Sequence, residues 1–294
     1  VYCWASTLFI AGFILRAYGS WHYDHLPIFI ASIVLLYAAP PIYELGNYII
    51  LGRCLHYIPH LSPIHPDRTI TLFLLLSTVI EALTANGAAR SFTDNESARH
   101  TGKILLKLTL LLQLGVVALL IILTAIYHIR ARRSGLLKYA TSNVENVLIT
   151  LYISCTLITI RTIFRTVEYF AVASLRPPYE SVDNISPLIR YEWLFYFFEV
   201  MVMFLNSVLL NARHPGKYLP VRNDAFLTAE GVEKKGVDFS KDRRPTWRKI
   251  CDPLDLYTLV FGTDEKWWLK EGETEEAAEP IRTETEQVRN ETKA

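Results

Sequence analysis

ILLKLTLLLQLGVVALLIILTAIY, residues 104–127, decides the fold. Its only charged residue is Lys107, near one end, and no polar stripe recurs at helical spacing as it would on a water-soluble helix. A hydrocarbon core of ~30 Å needs about 20 apolar residues of helix, so this stretch reads as a membrane span. Five others accompany it: Val1–Ile14, which is short, Leu26–Gly52, which is over-long, Thr69–Ala89, Val147–Phe170 and Trp193–Leu210. The fold class expected is all-α, a polytopic transmembrane helix bundle with six spans visible and a seventh in the full-length protein. The seventh is expected because Val1 opens in mid-helix, without a basic signal-peptide start. Residues 1–213 then form an N-terminally truncated bundle, and 214–294 a cytoplasmic tail, partly disordered.

A mean hydropathy of +0.22 over 294 residues averages an apolar part with this charged tail. The net charge of +1 gives no case for nucleic acid as a partner. Cys3, Cys54, Cys155 and Cys251 have neither metal-ligand nor disulfide-framework spacing. His56, His60 and His65 stand at irregular spacing among prolines and read as a polar turn. There is no phosphate-binding G-x-x-x-x-G-K-[ST] loop, no paired-histidine zinc motif and no nucleophile elbow. Nothing in the sequence supports an enzyme, a catalytic residue, a cofactor or a metal.

Orientation follows from Lys and Arg in short loops. Arg53 and Arg68, then Arg130, Arg132, Arg133 and Lys138, then Arg213, Lys217 and Arg222 fall on one side. The opposite loops carry Arg16, Arg90, Arg99, Lys103, Arg176 and Arg190. The denser side is expected to be cytoplasmic. Two N-glycosylation sequons, at Asn95 and Asn184, fall in loops on the other face and agree with this.

Charge inside a membrane is costly and marks the places where function is sought. Arg161, Arg165 and Glu168 share one face of the fifth span, within about 60° at 100° per residue. Glu192, Glu199 and Asn206 recur every seven residues along the sixth and form a stripe. Helix rise puts Glu199 at nearly the depth of Arg165 and Arg161, so a direct Arg165–Glu199 pair is expected, with Arg161 and Glu168 flanking it. Such a set either fixes helix packing or lines a path for a polar head group. Glu44, Asn47 and Tyr48 add polar groups to the second span, and Glu81, Thr84 and Asn86 to the third. Pro40-Pro41 could kink the span beside Glu44 and free backbone carbonyls; a long tilted helix whose neighbours tolerate the pair is the favoured reading.

At these residues the chain resembles the fungal lipid-translocating exporter family, seven-helix proteins linked to aminocholesterol and sphingoid-base resistance. The resemblance runs from about Gly12 to Lys217. It rests on Pro40, Tyr48 and Gly52-Arg53; on the signature Arg161-x-x-Phe164-Arg165-x-x-Glu168; and on Glu192–Glu199 with Asn211 and the His214-Pro215-Gly216 exit. Many relatives carry an acidic residue and a glutamine where this chain has Ser77 and Thr84, so Glu81 is the residue that would substitute. The resemblance implies a transporter or translocase of amphipathic lipids (sphingoid bases, sterol-like amines, phospholipids) that contributes to lipid asymmetry or toxic-compound resistance. It further implies a plasma-membrane glycoprotein whose partners are membrane lipids. The expected substrate path or packing network comprises Glu44, Tyr48, Glu81, Arg161, Arg165, Glu168, Glu192 and Glu199. A seven-helix receptor sensing a lipid or stress ligand is the alternative, and the basic loop Arg130–Lys138 suits it equally. In the tail, Trp247–Leu269 reads as a segment lying on the inner membrane surface or as a cap under the bundle, and Glu271–Ala294 as disordered.

Overall fold

The computed structural model describes residues 2–22, 25–64, 66–91, 95–135, 143–174, 190–219, 225–227 and 233–235. Its six principal helices coincide with the six apolar stretches. They are α1 (Tyr2–Gly19), α2 (Leu26–Tyr57), α3 (Pro66–Ser91), α4 (Glu96–Ser134), α5 (Val144–Ser174) and α6 (residues 192–212). The last joins a helical turn, Glu192–Phe195, to a π-helical segment, Tyr196–Met201, and an α-helix, Val202–Ala212. All but α1 contain a stretch long and apolar enough to cross a membrane. Single 3-10 turns at Pro59–Leu61 and Pro215–Lys217 punctuate the chain.

The distribution of side chains is that of a molecule solvated by lipid. Ile10, Leu74, Leu111, Ile122, Ile163 and Phe204 are exposed, whereas Ser32, Asn47, Thr150, Ser154 and Asn206 are buried. Water would drive the reverse, because burying a polar group costs unless it is bonded, while apolar surface gains by leaving water. The chain is a multi-pass membrane protein.

Backbone contacts divide it into two compact units. Unit 1 comprises Val1–Ile49, Phe73–Ile122 and Ile149–His214. Here small residues bring backbones together, the usual source of packing energy where no hydrophobic force acts between helices. A Cβ on Gly102 of α4 would lie 2.7 Å from the Gly87 carbonyl oxygen and 2.8 Å from the Ser91 nitrogen, both backbone atoms of α3. Gly115, on the same helix, has nothing within 4 Å of its would-be Cβ. Gly102→Ala is therefore expected to destabilise by about 1–3 kcal/mol through overpacking, and Gly115→Ala to be neutral or slightly stabilising. Melting midpoints of the two purified variants check this; equal midpoints would contradict the close approach. Aromatic contacts complete the unit: Phe9 and Tyr2 each within about 6 Å of Tyr43, Tyr48 stacked on Phe73, and Phe164 stacked on Phe198.

Unit 2 comprises Ile50–Leu72, Leu123–Leu148 and Pro215–Ala294. Tyr127 of α4 donates to the Cys54 carbonyl of α2 at 2.6 Å, and Arg132 pairs with Glu145 at the start of α5. At Gly135, φ is +70°, the left-handed conformation in which glycine ends a helix without strain. A two-stranded antiparallel hairpin, β1 (Ala225–Leu227) with β2 (Glu233–Lys235), sets Phe226 opposite Lys234. Sequence reading treated this region as polar tail; Phe226 and Leu227 were its apolar signal, and Leu227 is fully buried. Residues 236–294, with the tryptophan-bearing segment, lie outside the described residues.

The proline pair does not interrupt α2, which stays helical from Leu26 to Tyr57. The hydrogen bonds that two prolines cannot donate are offset by tertiary contacts in the following turns, where Tyr43, Glu44, Asn47 and Tyr48 are all buried.

Candidate functional site: the polar interior of unit 1

Two polar groupings lie inside unit 1. The first is built on α2, where Tyr43, Glu44, Asn47 and Tyr48 follow the i, i+4 spacing that stacks side chains along a face. Glu44 is 2% exposed. Gln113 of α4 donates through Nε2 to both of its carboxylate oxygens, at 2.5 and 2.6 Å. Tyr48 donates to the Glu44 Oε2 at 3.0 Å and shares a hydrogen bond with Ser77 of α3 at 3.1 Å. One turn away, Asn47 and Ser154 of α5 bond reciprocally at 2.9 and 3.1 Å. The Tyr43 hydroxyl joins Ser6 of α1, at 2.7 Å, to Ser207 of α6. Two neutral donors, Gln113 of α4 and Tyr48 of α2, thus converge on one carboxyl group. Among the described residues, Glu44 has no Lys, Arg or His within ion-pairing distance.

The second grouping lies between α5 and α6. Arg161 donates to the Glu199 Oε1 through Nε at 2.9 Å and Nη2 at 2.5 Å. Arg165 Nη1 pairs with Glu168 Oε2 at 2.6 Å, and its Nε stands 3.7 Å from Glu199 Oε2. The side chains of Arg161 and Glu199 are 10% and 1% exposed. Two cations meet two anions, so the set balances its own charge, which is what makes burial of these groups tolerable. The expected Arg165–Glu199 pair is present at 3.7 Å, but the tighter inter-helix partner is Arg161. Arg165 is drawn aside by Glu168 on its own helix and by the Phe195 ring, 5.6 Å from its guanidinium carbon. Lys107, expected at an outer helix end, lies over the Phe170 ring at 5.0 Å.

The other anticipated positions divide. Glu81 follows Ser77 by one turn of α3 and so shares its face; it is exposed, yet close enough to Glu44 and Arg161 to interact with both charges. The face of α3 that reaches inward is the one carrying Phe73, Ser77 and Ile80. Thr84 bonds the Ile80 carbonyl at 2.8 Å, within its own helix. Glu192 opens α6, and its side chain lies outside the described residues, as does Asn184. Asn95 is exposed and caps α4, its Oδ1 accepting from the Ser97 amide at 3.0 Å. Sequence reading passed over Gln113, although it is the sole glutamine before Gln287. A lone amide in the most apolar span was the available signal.

These features sit within a recognisable sequence family. Residues 3–222 match the family described as RTA1 like protein. A lipid-translocating exporter-like protein RTA1 from Leptosphaeria maculans is 35% identical over 88% of this chain and 52% of its own length. A protein of the same description from Ajellomyces capsulatus is 26% identical, over 88% of this chain and 81% of its own. A probable lipid transporter, atnI, from Emericella nidulans is 27% identical over 64% of this chain and 50% of its own. The chain spans about half the length of the first of these relatives. No solved structure matches. With three-quarters of its residues inside the family match and the Arg161–Glu168 signature in place, the chain belongs to the RTA1-like family of membrane proteins.

Proposed function

We propose that the helix bundle translocates amphipathic lipids carrying a cationic head group, of the sphingoid-base or sterol-amine kind, and so contributes to lipid asymmetry or resistance to toxic amphiphiles. The names of the relatives support lipid transport in general. The observation that carries the finer reading is Glu44: a buried carboxyl held by Gln113 and Tyr48, with no ion-pair partner among the described residues. The α5–α6 charges are already neutralised and act as a brace. Glu44 is the interior group whose chemistry complements an ammonium. Glu81, one turn beyond Ser77 on α3 and coupled electrostatically to Glu44, offers a second carboxylate. Catalysis plays no part in this reading.

The protein is placed in the plasma membrane with Asn95 and Asn184 outside and the tail inside, residues 214–294 forming a cytoplasmic appendage. Glycosidase treatment should shift the parent and shift Asn95→Gln less, while protease added to the cytoplasmic face should remove the tail. A tail protected on that face would reverse the topology.

Cells producing the chain are expected to tolerate a toxic long-chain amine better than cells without it. Truncation after Lys235, which keeps the hairpin and its buried Leu227, should leave that tolerance largely intact. Unchanged tolerance at verified surface expression would reject translocation and favour the receptor reading.

A further inference from the structure

Asn206 lies on the inner face of α6, two turns (~10.5 Å) beyond Glu199. It is 0% exposed, flanked along that face by buried Val202, Met203 and Leu210. Neither its Oδ1 nor its Nδ2 has a hydrogen-bond partner among the described residues. Glu199 Oε2, on the same face, likewise makes no hydrogen bond. Each unmade bond of a buried polar group costs about 1–3 kcal/mol, whereas a leucine of similar shape would avoid the cost. The neighbouring Ser207 does not supply the bond; it donates to the Met203 carbonyl at 2.9 Å and meets Tyr43. A π-helical segment, Tyr196–Met201, ends just before this stretch, and such segments recur at functional sites.

We infer that the Asn206 amide is a specificity-determining site for a hydroxyl group on the translocated lipid. The two free atoms set the chemistry. Oδ1 needs a donor and Nδ2 needs an acceptor, and both are fully buried on one amide. An ammonium cannot accept, and a phosphodiester or carboxylate cannot donate. A hydroxyl does both without bringing charge. Water offers the same chemistry, so the test must separate a bound lipid hydroxyl from water. The inference rests on the translocation reading above, with the hydroxyl recognised apart from the amine.

Binding of three probes to the full chain in nanodiscs decides it: 2-amino-1-octadecanol, octadecylamine, and the O-methyl ether of the first, which accepts but cannot donate. One recovered hydrogen bond corresponds to a preference of about three- to tenfold. The parent should bind the amino alcohol tighter than the ether by that factor, and tighter than octadecylamine by about its square. Asn206→Leu should bind all three alike, with its affinity for octadecylamine unchanged and its unliganded melting midpoint no lower than the parent's. If the parent binds all three probes equally, Asn206 faces water and the inference fails. If Asn206→Leu weakens all three alike, the residue is structural and the inference also fails. Failure of the parent to bind any probe defeats the translocation reading itself. Should Asn206→Leu not fold, the parent's ranking of the three probes still decides the matter.

Discussion

Glu199→Ala is expected to remove most of the folded protein from membranes. The substitution strands Arg161, whose guanidinium is nearly buried and makes two short bonds to Glu199. Breaking a buried pair from one side costs about 3–5 kcal/mol, because the remaining charge has neither water nor partner. That is a large part of a typical folding free energy of ~5–15 kcal/mol. Removing both charges together should restore much of it, since apolar groups of similar size replace buried pairs at little cost. The combination Glu199→Leu with Arg161→Met should therefore express near the parent level. Glu199→Ala with Arg165→Ala should not recover, because Arg161 stays stranded. Fluorescence-detected size exclusion of all four proteins measures this coupling. Rescue by the Arg165 change and not by the Arg161 change would overturn the pairing.

The second large effect is expected at Glu44. Glu44→Gln keeps the shape and lets an amide meet Gln113 and Tyr48, yet removes the negative charge. Tolerance to a toxic long-chain amine should fall to the level of cells lacking the protein, at matched surface expression. Glu81→Gln should lower it less, because that side chain is exposed and is not held by the interior network. Full tolerance in Glu44→Gln would mean that the interior carboxyl is structural.

Much of the fold was legible, for a simple physical reason. Span length is set by bilayer thickness, so a run such as Ile104–Tyr127 declares a helix without reference to its neighbours. Helix ends were less legible: α4 begins at Glu96 and ends at Ser134, well past its apolar run, because Asn95 caps one end and Gly135 closes the other. The site was legible as a set of costly residues, since charges in a membrane stand out whatever their partners. Partner choice was not. That Arg161 rather than Arg165 grips Glu199 depends on competition from Glu168 and Phe195, which helix rise alone does not contain. Gln113 and Ser154 escaped notice because uncharged groups are cheap to place in a span. Only the tertiary contact with Glu44 or Asn47 gives them meaning.

The central claim is that the polar interior of unit 1 carries a cationic head group across the bilayer. Its most direct test is leaflet-to-leaflet movement of a fluorescent octadecylamine, and of the matched fluorescent octadecanol, in sealed vesicles containing the purified chain. Parent protein is predicted to accelerate the amine well above the protein-free rate and above the alcohol, with Glu44→Gln reducing the amine to the protein-free rate. Equal acceleration of both probes by the parent and by Glu44→Gln, or no acceleration by either protein, would contradict the account.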